Sequence, residues 1–121
     1  HIAGLSRPMN IHDEKINLSI DLNIIGTANI VKLCNEFKIK LIYFSTNYVY
    51  PGTKGNYKET DPLLPINNYA WSKLGGETSV QLYKNSLILQ MQFFEWCACP
   101  HIQRFDSQQW QHRYQQEVLD R

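Results

Sequence analysis

Leu41-Ile42-Tyr43-Phe44-Ser45-Thr46 is the stretch that decides the fold. Four apolar or aromatic residues run without interruption and give way to two hydroxyls, the pattern of a strand covered on both faces, as in a parallel sheet. Upstream, residues 13–37 read as one long helix, because Ile16, Ile20, Ile24, Ala28 and Val31 recur at three- and four-residue spacing. Asp13 and Glu14 suit its positive N-terminal end. Downstream, Pro51, Gly52, Gly55, Pro62 and Pro65 make 47–67 a long loop. A second helix is expected over 68–84 and a second buried strand over Ser86-Leu87-Ile88-Leu89. Strands alternating with helices imply an α/β fold, a doubly wound parallel sheet, and the loop after the first strand lies at the edge where such sheets bind ligands. Gly26 and the Gly75-Gly76 pair are unfavourable inside helices and mark points of close packing or functional approach.

The bulk properties exclude several functions. The chain has 121 residues, 12 Lys+Arg against 11 Asp+Glu, and 43% hydrophobic residues, enough for one domain with a core. A net charge of +1, with its basic residues scattered, offers no general attraction for nucleic acid or an acidic membrane. No apolar run approaches the roughly 20 residues of a membrane span and no charged-then-apolar leader opens the chain, so a cytoplasmic protein is expected. Cys34, Cys97 and Cys99 are an odd number, and Cys97/Cys99/His101 lack a fourth ligand at zinc spacing, so neither a disulfide framework nor a metal site is expected. Cys34 is most simply a small buried residue.

The chemistry lies in Tyr69-Ala70-Trp71-Ser72-Lys73. Residues four apart share one helical face, so the Lys73 ammonium can lie near the Tyr69 phenol and lower its pKa from about 10. Tyr69 then becomes a candidate general acid or base. Ser45 and Thr46 close the buried strand, and their hydroxyls emerge at the sheet's carboxyl edge, where a substrate carbonyl could be held. Ser45 reads as a strand cap, Glu59 and Asp61 as loop-forming residues, and Asn47 and Tyr48 as substrate contacts or turn formers.

Taken in order, these segments resemble the extended short-chain dehydrogenases/reductases of the nucleotide-sugar branch, and within it the dTDP-4-dehydrorhamnose reductases. The matching text is His1-Ile2-Ala3-Gly4, Asn23-x-x-Gly26-Thr27-x-Asn29, Phe44-Ser45-Thr46-Asn47-Tyr48-Val49-Tyr50-Pro51-Gly52, Glu59-x-Asp61-Pro62 with Pro65, and Tyr69-x-x-x-Lys73-Leu74-x-x-Glu77. Several ordered motifs over about 90 residues are more specific than any one alone. The resemblance implies a Rossmann-like sheet and NADP or NAD as cofactor. It further implies catalytic roles for Thr46, Tyr69 and Lys73, cofactor contacts from Ala3, Gly4, Tyr69 and Lys73, and substrate contacts from Thr46 and Asn47. The implied partner is a nucleotide sugar whose 4-keto-6-deoxy ring is reduced; NADH against NADPH, and reduction against epimerisation or dehydration, stay open. The methionine adenosyltransferase beta subunit also resembles these reductases, so a non-catalytic regulatory relative is the alternative.

Two departures qualify the resemblance. No Gly-rich phosphate-binding turn occurs in these residues, and Gln90 stands where the family usually shows Arg. Composition also shifts near Gln92: all ten Asn and all eight Lys lie in 1–91, whereas seven of the nine Gln lie in 92–121. Residues 1–91 are therefore expected to be the C-terminal half of an NAD(P)-binding domain, and 92–121 a Gln-rich tail with at most a short helix over 108–119. The expectation is a fragment of a longer reductase, catalytically incompetent alone. Apolar faces of 41–46 and 87–91 left uncovered would favour self-association, a possible homo-oligomer.

Overall fold

The computed structural model describes residues 1–91. Its elements are α1 (Ile11–Glu14), α2 (Ile16–Ser19), a π-helical stretch over Ile20–Ile25, α3 (Gly26–Phe37), β1 (Leu41–Thr46), a 3-10 turn over Asn47–Val49, α4 (Asn68–Gln81) and β2 (Ser86–Met91). The expected tail helix and the Cys97/Cys99/His101 group lie outside the described residues. Among the described residues no helix is long and apolar enough to cross a membrane.

β1 and β2 pair in parallel, from Leu41 opposite Ser86 to Thr46 opposite Met91. On the other edge of β1, the His1 amino group donates to the Ile42 carbonyl at 2.6 Å and the Phe44 N–H donates to the His1 carbonyl at 3.3 Å. That alternation is a parallel ladder with His1 opposite Tyr43, so β1 is central and Ala3 and Gly4 run on towards its carboxyl edge. The alternating α/β order with parallel strands is as expected. β2 extends two residues beyond the predicted 86–89 and is half-buried rather than covered on both faces.

The core gathers Cys34, Leu41, Tyr43 and Val80, with Ile30, Val31, Tyr83 and Ile88 packed against it. α3 stops where Lys38 enters the left-handed region at φ 56° and the Ile39 N–H returns to the Cys34 carbonyl. The Tyr83 hydroxyl reaches the Cys34 and Ile39 carbonyls at 3.0 and 2.9 Å, so α4's end is fastened to this turn.

The predicted single helix over 13–37 is corrected in two ways. Lys15 breaks it, at φ −129° and ψ 63°, leaving α1 as one separate turn. The buried face is also not the isoleucine stripe: Ser19, Asn23, Thr27 and Cys34 face inward, while Ile16 is 55% and Ile20 38% exposed. The wider π turn carries Asn23 to the interior, where polar partners wait for it; Ile16 and Ile20 lie outward, while Ile24 and Val31 stay half-buried against α4 and the core.

The two glycines of α4 permit this packing. A Cβ at Gly75 would lie 2.7 Å from Ile24 Cδ1, and one at Gly76 would lie 2.5 Å from the Tyr43 hydroxyl and 2.8 Å from the Asn23 carbonyl. Close packing is therefore the reason for the pair. Gly76→Ala is expected to lower stability by about 1–3 kcal/mol in urea unfolding, since a backbone carbonyl cannot step aside. Gly55→Ala, with nothing within 4 Å of the added carbon, should change it by less than about 0.5 kcal/mol. Equal effects at the two positions would refute this account of the α4 contact.

Candidate active site

The site forms where β1 ends. Thr46 leaves the strand in extended conformation and its Oγ1 accepts the Tyr48 N–H at 3.2 Å, which starts the 3-10 turn. Asn67 caps α4 by accepting the Ala70 N–H at 2.8 Å, so that Tyr69 enters in the first turn and Lys73 follows one turn later. The long loop is tied back over the strand end, with Leu64 N–H donating to the Val49 carbonyl and Ile66 N–H to the Tyr48 carbonyl. Within it, the Tyr50 hydroxyl donates to Gln90 Oε1 at 2.9 Å, and Asp61 accepts the Lys58 N–H at 2.8 Å as a loop-forming residue should.

Tyr69 is buried against two rings. The His12 ring centroid lies 5.2 Å away at 55°, and the Tyr48 centroid 6.5 Å away, edge-on at 87°. Burial pushes the Tyr69 phenol above its ordinary value; the neighbouring Thr46 hydroxyl and the Arg7 charge oppose the rise, and Tyr48 adds to it. The predicted lowering of this phenol by Lys73 is not what the fold produces. Lys73 Nζ instead lies over the face of Tyr43, 4.2 Å from the ring centroid, a cation–π seat.

Lys73 is itself buried, and burial lowers its ammonium from 10.5 to about 8, against the pull of Glu77. Glu77, one turn along the same helix face, is raised by burial, while nearby Ser45, Gln90 and Lys73 draw it down. Gln90 Nε2 donates to both Glu77 oxygens at 3.4 and 3.2 Å, so a neutral amide satisfies the carboxylate. Ser45 Oγ lies near that carboxyl yet has no partner at hydrogen-bond distance among the described residues. The Tyr43 hydroxyl donates to the Lys73 carbonyl at 3.3 Å, and burial raises its phenol well above the usual range.

The structure thus brings Thr46 and Tyr69 together at the carboxyl edge and places Lys73 just behind them on Tyr43. Asn47 begins the turn with its Oδ1 buried and without a hydrogen-bond partner among the described residues. Ala3 and Gly4 are exposed, and Gly4 has a packing reason of its own: a Cβ there would lie 2.8 Å from Asn23 Oδ1. Sequence reading gave no role to His12, Asn23 or Tyr43. Glu77 was readable as a carboxylate four residues past Lys73 on one helix face, whereas nothing local marks His12. Among the described residues no group of three His, Cys, Asp or Glu could hold a metal ion.

The Lys73 seat has a pH consequence. With its folded pKa near 8 and 10.5 when free, the unfolded chain binds more protons between those values, so this group makes stability rise with pH across about 8 to 10.5. Urea unfolding at pH 7 to 9.5 should show that rise in the parent chain and not in Lys73→Met. A rise that survives the substitution would place its origin elsewhere.

Comparison with known proteins agrees with this architecture. The RmlD substrate binding domain family matches residues 10–93. A probable low-salt glycan biosynthesis reductase of Haloferax volcanii is 40% identical over 72 residues, 56% of this chain and 24% of that protein. The methionine adenosyltransferase 2 subunit beta of Xenopus laevis is 35% identical over 80 residues, 66% of this chain and 24% of that protein. Among solved structures, the dTDP-4-dehydrorhamnose reductase of Bacillus anthracis in complex with NADP superimposes with a TM-score of 0.68 at 28% identity, over 76% of this chain and 35% of that one. The chain therefore spans about a quarter of the length of these curated relatives. With the family's model matching residues 10–93 and the parallel Rossmann-like sheet in agreement, the chain belongs to the RmlD substrate binding domain family.

Proposed function

We propose that this chain carries the proton-donating part of an NAD(P)-dependent nucleotide-sugar reductase that reduces a 4-keto-6-deoxy sugar, as in dTDP-4-dehydrorhamnose reductases. The observation that carries the reading is the convergence of the Thr46 hydroxyl and the Tyr69 phenol at the carboxyl edge of a parallel strand, with Lys73 one helical turn behind. The residues present fit a dinucleotide, NADP or NAD: the backbone at Ala3 and Gly4 is exposed beside that edge, where small residues allow close approach. Lys73 and Tyr69 would offer an ammonium and a hydroxyl to its ribose. Such a cofactor, when bound, supplies the hydride.

The chain's own residues then handle the proton. Thr46 donates a hydrogen bond to the sugar oxygen that gains charge, and Asn47, with its unpartnered Oδ1, accepts from a neighbouring sugar hydroxyl. Tyr69, kept protonated by burial, delivers its proton to the same oxygen as a general acid. One observation favours a second reading, a non-catalytic subunit like the methionine adenosyltransferase relatives: Lys73 rests on Tyr43 while nothing holds Tyr69 below its ordinary pKa.

A chimera separates the two. Residues 1–91 would replace the aligned segment of the Bacillus anthracis enzyme, and NADPH oxidation with a dTDP-4-keto-6-deoxy sugar would be followed optically, with calorimetry of NADPH binding. The expected outcome is turnover that falls about 10²–10⁴-fold in Tyr69→Phe while NADPH binding persists. A folded chimera that binds NADPH and turns over nothing would reject the reductase reading in favour of the subunit.

A further inference from the structure

His12 has no part in the chemistry above, yet it is 1% exposed and its ring lies against Tyr69. It belongs to α1, a single turn held from two sides. His12 Nδ1 and Ser19 Oγ are 2.7 Å apart, and Asn68 Nδ2, at the start of α4, donates to Asp13 Oδ1 at 2.7 Å. The second bond fixes the imidazole-bearing turn to the very helix that carries Tyr69. His12 Nε2, in contrast, is buried without a hydrogen-bond partner among the described residues. A buried imidazole with one nitrogen satisfied and one bare is stable as the neutral Nδ1–H tautomer, because a bare ring acceptor costs less than an orphaned N–H donor.

We infer that neutral His12 is a positioning residue for Tyr69: its ring, together with that of Tyr48, sets where the phenol lies, and protonation of the imidazole releases it. Taking up a proton puts an N–H on the buried Nε2, for which no acceptor lies at hydrogen-bond distance among the described residues; the Ser6 backbone eases the charge only in part, so the charged ring is driven to shift and Tyr69, packed against it, shifts with it. The groups that face the ring decide when this happens. Burial holds its pKa below 6.5, while the Ser6 backbone and the Asp13 carboxylate oppose that shift. Ser19 from α2 is uncharged, and Tyr69 from α4 is a neutral phenol whose nearby cation is Arg7. The inference rests on the proposed role of Tyr69 only for its catalytic meaning; its geometry is testable without turnover.

The test uses the full 121-residue chain with tyrosine labelled at Cζ with carbon-13, Tyr69 being assigned by Tyr69→Phe, and follows that resonance and the His12 imidazole from pH 8 to 4. The expected result is one step in the Tyr69 resonance with the midpoint of His12, below pH 6.5. His12→Phe, which keeps an aromatic ring and removes the titration, should hold the neutral-pH resonance position and abolish the step. Three results would overturn the inference: a flat Tyr69 resonance while His12 titrates, a His12 that stays neutral until the chain unfolds, or a step that persists in His12→Phe. Should that variant fail to fold, the coincidence or mismatch of the two parent-chain midpoints still decides. Loss of turnover in the chimera with an intact step would leave the positioning role standing and reject only the reductase reading.

Discussion

The amide of Asn23 holds three separate pieces of this structure together. Its Oδ1 accepts the Leu5 N–H at 2.7 Å, and its Nδ2 donates to the Leu5 carbonyl and to Ser72 Oγ, both at 2.8 Å. Ser72 in turn donates to the Tyr69 carbonyl at 2.7 Å. The segment after the His1 ladder, the π-helical stretch and the first turn of α4 therefore meet at one fully buried side chain. Three of its four hydrogen-bonding capacities are used, so its burial is offset rather than merely tolerated. Gly4 and Gly76 follow from the same constraint, because a side chain at either would collide with Asn23.

Once α4 is drawn in that far, the electrostatics of the site follow. Lys73, Glu77 and Tyr43 are all taken out of water, and each is pushed towards its neutral form. The pair on α4 resists this mutually: Glu77 raises Lys73, and Lys73 lowers Glu77. Gln90 satisfies the carboxylate with hydrogen bonds but adds no charge, so the attraction between the two helix residues is not shared with a strand cation. The ammonium is thereby kept by the aromatic face of Tyr43 and by Glu77 along its own helix.

What was legible in the sequence was local. The run at 41–46, the breaker density of 47–67 and the four-residue step from Tyr69 to Lys73 are properties of short windows, and each lies where it was expected. The inward face of the helix before β1 was not fully legible, because Ile16 and Ile20 continue the 3.6-residue period of Ile24 and Val31 on to a face that the fold leaves open. Asn23 and Thr27 look like surface residues until partners far away in sequence are supplied, Leu5 and Ser72 to Asn23 and His1 to Thr27. The same holds for the seat of Lys73: helical spacing places it near Tyr69, but the ring that captures it comes from a strand residue 30 positions earlier, through contacts that no periodicity encodes. The Gly75-Gly76 pair was the one local mark of that approach.

Burial keeps the Tyr69 phenol protonated and also makes it a weaker acid, so in the proposed role it holds a proton that it gives up only with charge beside it. Drawing the phenol down requires charge beside it, and Lys73 already lies on the same helix, held by a cation–π contact worth about 0.5–2 kcal/mol rather than by a salt bridge to a strand residue. That contact and the attraction of Glu77 keep the ammonium on the ring, so the phenol's proton stays tightly held.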